Sequence, residues 1–184
     1  MKPIFSVNRM DSLYNLVKNR RSIRKYADRP VEREKIDRIL RTALMSPASK
    51  RANGWEFIVV DDRALLARMA DCRDFGSKLI AGAPVAVVVA YDPQKSDVWF
   101  EDASIAALLL QLAAEDLGLG SCWVQVYNRQ HDENTSAEAY IRTLLDIPDT
   151  LHVLNIVAIG YKNEERKPYD EEKLAYDKIH WNRY

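Results

Sequence analysis

Apolar residues recur at helical spacing in several stretches of the chain. This spacing predicts helices over 11–19, 32–44 and 103–117, a short helix carrying Leu65, Leu66 and Met69, and a helix starting near Ser136. Asp102 is expected to cap helix 103–117, and Gly118 is placed to end it. The apolar residues of that helix run nearly all the way round, which is typical of a central buried helix or of a subunit interface.

Four shorter apolar runs alternate with these helices and predict strands. They cover residues 56–60, 85–90, 121–126 and 153–159, and the continuous apolar run 85–90 indicates burial on both faces of a sheet. Strands alternating with helices favour a layered arrangement with a sheet of mixed direction. With 184 residues and no linker or repeat, a single domain over 1–184 is expected.

Charge and composition exclude several classes of protein. Lys plus Arg and Asp plus Glu both number 27, so an overall positive field for nucleic acid is absent. Two distant cysteines and three scattered histidines offer no metal-ligand spacing, so no metal site is expected. The N-terminus lacks the apolar run of a signal peptide and the longest apolar stretch is too short to span a bilayer, which predicts a cytoplasmic protein without a membrane anchor.

The first candidate site is a basic arm, residues 18–25. In an extended segment alternate side chains share a face, so Arg20, Ser22 and Arg24 can point the same way, with Arg21 beside them. Guanidinium groups and a hydroxyl suit a phosphate dianion. A solvated basic surface is the alternative interpretation.

A loop between a predicted helix and a predicted strand, residues 46–54, is the second candidate. Its Pro, Gly and small polar residues are typical of a segment that lies against a ligand. The alternative is an ordinary turn, with the following Trp55 filling the core. The third segment, 117–125, contains Gly118 and Gly120, but these follow a helix and open a strand, so they are not a dinucleotide fingerprint.

These three segments, in this order, resemble the FMN-dependent nitroreductase family, specifically its short members. The resemblance covers nearly the whole chain and extends to Glu101-Asp102, Ile159-Gly160-Tyr161 and Ile179-His180-Trp181. It implies an α+β fold, a three-layer α/β/α sandwich with a mixed central sheet. It also implies a homodimer with two FMN sites at the interface and a C-terminal tail that extends onto the partner.

The resemblance assigns cofactor-binding roles by position. Arg20, Arg21, Ser22 and Arg24 match the segment that holds the FMN phosphate, ribityl chain and pyrimidine edge, and Arg166 and Lys167 match a further phosphate ligand. Pro47, Ala48, Ser49 and Arg51 match the loop laid against the flavin by the partner subunit. Trp123, Val124 and Gln125 match the segment beside flavin N5 and O4.

The family's chemistry implies an NAD(P)H-dependent flavin oxidoreductase. NADH or NADPH would reduce the flavin, and an electron-poor small molecule such as a nitroaromatic or a quinone would reoxidise it in a ping-pong cycle. No catalytic side chain is expected, because the cofactor carries the chemistry. The family usually has Asn where this chain has Arg51, so we expect Arg51 to select acidic acceptors or the NADPH phosphate.

Two alternatives stay open from the sequence. One is an FMN-binding protein of this fold with another redox role or with no catalysis. The other is a partner-binding module that uses the basic arm without turnover. The apolar residues of the tail must dock on this subunit or on a partner; they are Leu174, Tyr176, Ile179, Trp181 and Tyr184.

Overall fold

The structure, a computed structural model, describes residues 9–184 and, in the first helix, side chains from Leu13 onward. The segment 1–8, to which the signal-peptide argument applied, lies outside the described residues. The helices are α1 (Arg9–Asn19), α2 (Arg33–Leu44), α3 (Arg63–Met69), α4 (Trp99–Asp116) and α5 (Ala137–Leu145). The strands are β1 (Trp55–Val60), β2 (Val85–Tyr91), β3 (Gly120–Gln125) and β4 (His152–Gly160).

The strands form one sheet in the order β1-β2-β4-β3. Each neighbouring pair is antiparallel, which confirms the α+β class. Within residues 9–184, parallel pairing is confined to a bridge between Ser22 and Ser121. Strands β2 and β3, which α4 connects, run in the same direction but do not pair with each other. They do not pair because β4 lies between them in the sheet.

Helices cover both faces of this sheet and produce three layers. Along β2, Ala86, Val88 and Ala90 belong to a core shared with α3 and α5. The alternate residues belong to a second core shared with α2 and α4; they are Val85, Val87, Val89 and Tyr91. Every residue of β2 is buried, as its continuous apolar run predicted, because side chains on both faces meet a helix layer.

The starts of two helices, α5 and α4, can be compared with the caps predicted from the sequence. The Ser136 side chain accepts the Ala139 N–H at 3.0 Å, which confirms the predicted start of α5. The expectation that Asp102 caps the central helix is wrong. That helix, α4, begins at Trp99 after Val98, and Asp102 lies inside it with only 4% of its surface exposed.

The tail divides into a docked part and a projecting part. Tyr169 donates its N–H to the carbonyl of Lys18 at 2.9 Å, and Glu171 pairs with the Lys18 ammonium. Beyond these contacts the chain is exposed, and Trp181 leaves 85% of its surface uncovered. Among residues 9–184, the longest helices are too polar or too short to cross a lipid bilayer.

Candidate functional site

The basic arm is held in an extended form along the edge of the sheet. The Ile23 N–H donates to the carbonyl of Ser121 at 2.9 Å, which seats the arm against β3. The buried Tyr26 hydroxyl donates to the carbonyl of Ile23 at 2.7 Å and lies 3.2 Å from that of Ala158. Burial raises the pKa of Tyr26 far above its usual range, so the phenol remains a donor at physiological pH.

The arm and the start of the tail enclose a small cationic depression. Its volume is about 150 Å³, and it is lined by Arg21, Ser22, Arg24, Arg166 and Tyr169. Two distant stretches of sequence therefore supply its guanidinium groups. The arrangement provides charge-assisted donors around a space that suits a phosphate group.

Glu164 holds the two sides of this depression together. Its carboxylate accepts the backbone N–H of Arg24 at 2.5 Å and lies 3.3 Å from that of Lys25. The same carboxylate pairs with the Arg166 guanidinium at 2.6 Å. The hydrogen bond from Arg24, and then the charge of Arg166, lower the pKa of Glu164 although burial opposes the shift. Glu164 was not predicted from the sequence, because its partners in the arm, Arg24 and Lys25, lie about 140 positions away.

Replacing Glu164 with Gln is expected to lower the free energy of unfolding by about 1 kcal/mol at neutral pH. Because the pKa of Glu164 is depressed by folding, its stabilising contribution is complete above the ordinary carboxyl pKa of about 4.3. The contribution is lost as the pH falls below that value. Chemical denaturation of both proteins between pH 7 and pH 3 should therefore show a difference that shrinks toward acid.

Glu165→Gln is the matched control for this experiment, because Glu165 is the adjacent, exposed carboxylate. The control is expected to unfold like the original protein at every pH. A Glu164→Gln deficit that stays constant across the pH range would contradict the assigned role of the carboxylate.

Tyr169 links the tail to the other arginines of the arm. Arg21 lies over its ring at 4.6 Å from the centroid and also donates to the carbonyl of Lys167. Arg20 lies 3.3 Å from the Tyr169 hydroxyl and lines a neighbouring concavity between α1 and the tail. The depression thus combines Arg21 with Ser22 and Arg24, whereas alternation predicted Arg20 in that place.

The charges of Arg20 and Arg24 nevertheless both affect the Cys122 thiol in β3. Burial raises the pKa of the Cys122 thiol, and Arg24, the Ser22 hydroxyl and Arg20 each oppose that rise. The positive charge of the arm therefore reaches Cys122 in β3, next to the depression, although Glu164 acts there in the opposite direction.

The outer edge of β3 continues from the depression toward Trp123 and Gln125. Because the carbonyl of Ser121 faces the arm, alternation turns the backbone groups of Trp123 and Gln125 toward the same outer edge. Within residues 9–184, no strand pairs with this edge beyond the bridge at Ser22, but the Arg73 guanidinium donates to the Gln125 carbonyl at 2.9 Å at its far end. The Val124 side chain is buried in the core, so a ligand at this edge meets backbone N–H groups and the side chains of Trp123 and Gln125.

Loop 46–54 lies at the opposite corner of the sheet. The loop leads into Trp55, which pairs with Tyr91 at the last residue of β2. The arm contacts Ser121, which pairs with Ile159, and Ile159 in turn pairs with Val85 at the first residue of β2. Three strand spacings and six residues along β2 separate the two corners, a distance of about 25 Å. The structure therefore brings Arg166 to the arm but leaves the loop residues remote from both; they are Pro47, Ala48, Ser49 and Arg51.

Comparison with known proteins agrees with this architecture. The model of the nitroreductase family matches residues 17–72 and 72–161. The chain belongs to the nitroreductase family. A solved structure described as an FMN-dependent nitroreductase from Clostridium difficile R20291 superposes with a TM-score of 0.92 at 49% identity, over 93% of this chain and 99% of that one.

Two further nitroreductase relatives are similar to this chain over nearly their full lengths. A protein of Archaeoglobus fulgidus, assigned by name to the NADH dehydrogenase/NAD(P)H nitroreductases, is 37% identical over 93% of this chain and 98% of its own. A solved structure with that name from Parabacteroides distasonis has a TM-score of 0.84 at 37% identity, over 93% of this chain and 98% of that one. The predicted family, the nitroreductase-like fold and the expectation of an enzyme are confirmed.

Proposed function

We propose that this nitroreductase is an FMN-dependent NAD(P)H oxidoreductase acting on electron-poor small molecules such as nitroaromatics or quinones. The observation that carries the proposal is the cationic depression placed directly beside an open strand edge. A ligand that carries both a phosphate and a polar ring needs a cationic site for the phosphate next to backbone hydrogen-bonding groups for the ring. The names of the relatives, which include FMN-dependent nitroreductase and NAD(P)H nitroreductase, support the cofactor and the donor.

The residues around the depression fit FMN. Arg21, Ser22, Arg24 and Arg166 would hold the phosphate, with Arg20 adding positive potential nearby and Lys167 contributing the carbonyl that orients Arg21. The outward N–H groups of Trp123 and Gln125 would meet the ring, whereas the Gln125 carbonyl already accepts the Arg73 guanidinium at 2.9 Å. When bound, FMN would accept a hydride from NADH or NADPH and pass it to the acceptor.

The protein's own contribution is binding, orientation and charge. The guanidinium groups of Arg21, Arg24 and Arg166 would neutralise the phosphate dianion, an effect that is strong when water is excluded. Backbone N–H groups on the β3 edge are rigid donors, because β3 is paired along its inner side with β4. They would orient the ring without the entropy loss that a flexible side chain brings.

We further propose that residues 1–184 form one domain and that two copies make a homodimer. Loop 46–54 and the basic arm are about 25 Å apart in one copy, so only a second copy can bring a loop to this arm. Apolar side chains that a partner would cover are exposed on α1, α4 and the tail. They include Leu13, Val17, Ile105, Leu108 and Trp181.

Sedimentation of the purified protein tests the assembly. We expect a dimer at micromolar concentration and weaker association when Leu108, which is 46% exposed on α4, is replaced by Asp. A monomer that binds FMN normally would contradict the shared site.

Because the donor is a cytoplasmic metabolite, we place the reaction in the cytoplasm.

Absorbance spectra before and after anaerobic addition of NADH or NADPH test the proposed activity. We expect a bound flavin band that is bleached by the donor and returns when a quinone is added. A flavin band that persists with both donors would favour a binding protein without this catalysis. A protein that takes up no FMN would contradict the proposal and favour a partner-binding role for the basic arm.

Replacing Arg51 with Asn is expected to raise the KM for NADPH or for carboxylate-bearing acceptors about two- to fivefold, with kcat and the KM for NADH unchanged. Arg51 is exposed and has a φ of 58°, a backbone conformation that Asn tolerates well. The fold should therefore survive, and steady-state kinetics with both donors measure the effect.

Lys50→Asn is the control, because Lys50 is the adjacent exposed cation and has a φ of 50°. We expect its constants to match those of the original protein. Equal effects of the two substitutions would show that the general charge of the loop matters and that Arg51 has no selective role.

A further inference from the structure

Loop 46–54 holds three side-chain-bearing residues in the left-handed backbone region. The φ angles of Lys50, Arg51 and Asn53 are 50°, 58° and 45°. This region is unfavourable for residues with a Cβ, and two of the three are long cationic residues with no special preference for it. A short loop in this form needs contacts from outside itself to keep one conformation.

A buried carboxylate supplies one such contact. Asp102, inside α4, accepts the backbone N–H of Ser49 at 2.9 Å through Oδ1 and the hydroxyl of Tyr91 at 2.9 Å through Oδ2. Asp102 is 4% exposed, and Tyr91 is fully buried at the end of β2. The two residues form a bracket that joins the helix, the sheet and the start of the left-handed segment.

The other end of the loop is held by the same tyrosine. A Cβ on Gly54 would lie 2.5 Å from Cε1 of the Tyr91 ring, so the backbone at Gly54 packs directly on that ring. The carbonyl of Gly54 also accepts the N–H of Asp92 at 2.9 Å. The strained residues therefore lie between two anchor points that both depend on Tyr91.

The set of partners of Asp102 is the informative feature. Among the residues that the structure describes, the partners of the Asp102 carboxyl group are these two hydrogen-bond donors, and a buried polar group needs such partners. The Ser49 N–H and the Tyr91 hydroxyl satisfy one oxygen each of this buried carboxyl group.

We propose that Asp102 and Tyr91 are positioning residues that keep loop 46–54 in its strained form, ready to contact the FMN held by the other subunit. The ligand in this statement rests on the proposed function, whereas the effect on the loop does not. The bracket touches neither cofactor nor substrate. It acts through the backbone of Ser49 and sets the direction in which Arg51 projects.

Asp102→Asn and Tyr91→Phe test the bracket in the full-length protein. We expect amide hydrogen exchange at residues 49–53 to become about tenfold faster in the FMN-free protein, with exchange in β2 and β4 unchanged. The Kd for FMN, measured by quenching of flavin fluorescence, should rise about tenfold in Asp102→Asn. Tyr91→Phe keeps the ring beneath Gly54 and should show a smaller effect in the same direction.

Glu101→Gln is the matched control, since it removes a negative charge from the adjacent, exposed position of the same helix. It should leave loop exchange and FMN affinity unchanged. A purely structural Asp102 would lower the melting temperature without speeding loop exchange or weakening FMN, and that result would overturn the proposal. If the original protein itself takes up no FMN, the proposed function fails, while loop exchange still decides whether the bracket exists.

Discussion

Replacing Arg24 with Ala is expected to raise the Kd for FMN about 10- to 100-fold, the range typical of losing a charge-assisted hydrogen bond. Arg24 lines the cationic depression, and its backbone is fixed by Glu164, so its guanidinium is presented from a rigid segment. Its charge also reaches the start of β3, where it opposes the rise in the pKa of Cys122. Fluorescence titration of the FMN-free protein measures the change.

Lys25→Ala is the control for Arg24→Ala. Lys25 is the adjacent exposed cation, and the structure gives contacts only for its backbone, which pairs with Glu164 and with Asn163. We expect nearly normal FMN affinity, with a similar melting temperature for both variants. Equal weakening by both substitutions would indicate a diffuse electrostatic attraction, and unchanged affinity in Arg24→Ala would remove the assignment of Arg24.

Gly120→Ala is expected to destabilise the fold by about 1–3 kcal/mol and to lower FMN affinity at the same time. A Cβ at this position would lie 2.7 Å from Cβ and Cγ1 of Ile23, closer than real contacts allow. Ile23 is the buried residue that seats the basic arm against β3. The added methyl group must push the arm outward, and the arginines of the arm move with it.

Chemical denaturation and FMN titration together measure the effect of Gly120→Ala. Gly82→Ala is the control, because a Cβ there meets nothing within 4 Å and the backbone needs no positive φ. The control should fold and bind normally. A stable Gly120→Ala protein with full FMN affinity would show that the arm does not depend on this close approach.

Periodicity predicted the elements well because each helix and strand buries a face that its own residues encode. The structure extends α4 by four residues at its start and otherwise moves most boundaries by one or two. Asp102 was misassigned for a physical reason. Cap preferences are local, whereas the partners of Asp102 are Ser49 and Tyr91, which the fold alone brings beside it.

The candidate site was predictable only in part. The arm could be identified because its basic residues are nearly consecutive, but Glu164 and Tyr169 reach it from the other end of the chain. The separation of the arm from loop 46–54 depends on strand order. No local pattern reports that β4 lies between β2 and β3, because the insertion is a property of the assembled sheet.

The diagonal placement of arm and loop has a genetic consequence. If each site combines the arm of one copy with the loop of the other, a chain defective only in its arm and a chain defective only in its loop can complement each other. In a twofold dimer formed at random from Arg24→Ala and Asp102→Asn chains, about a quarter of all sites would combine an intact arm with an intact loop. Two alleles of this gene, each of which weakens FMN binding alone, would then produce some dimers with one intact site in the same cell.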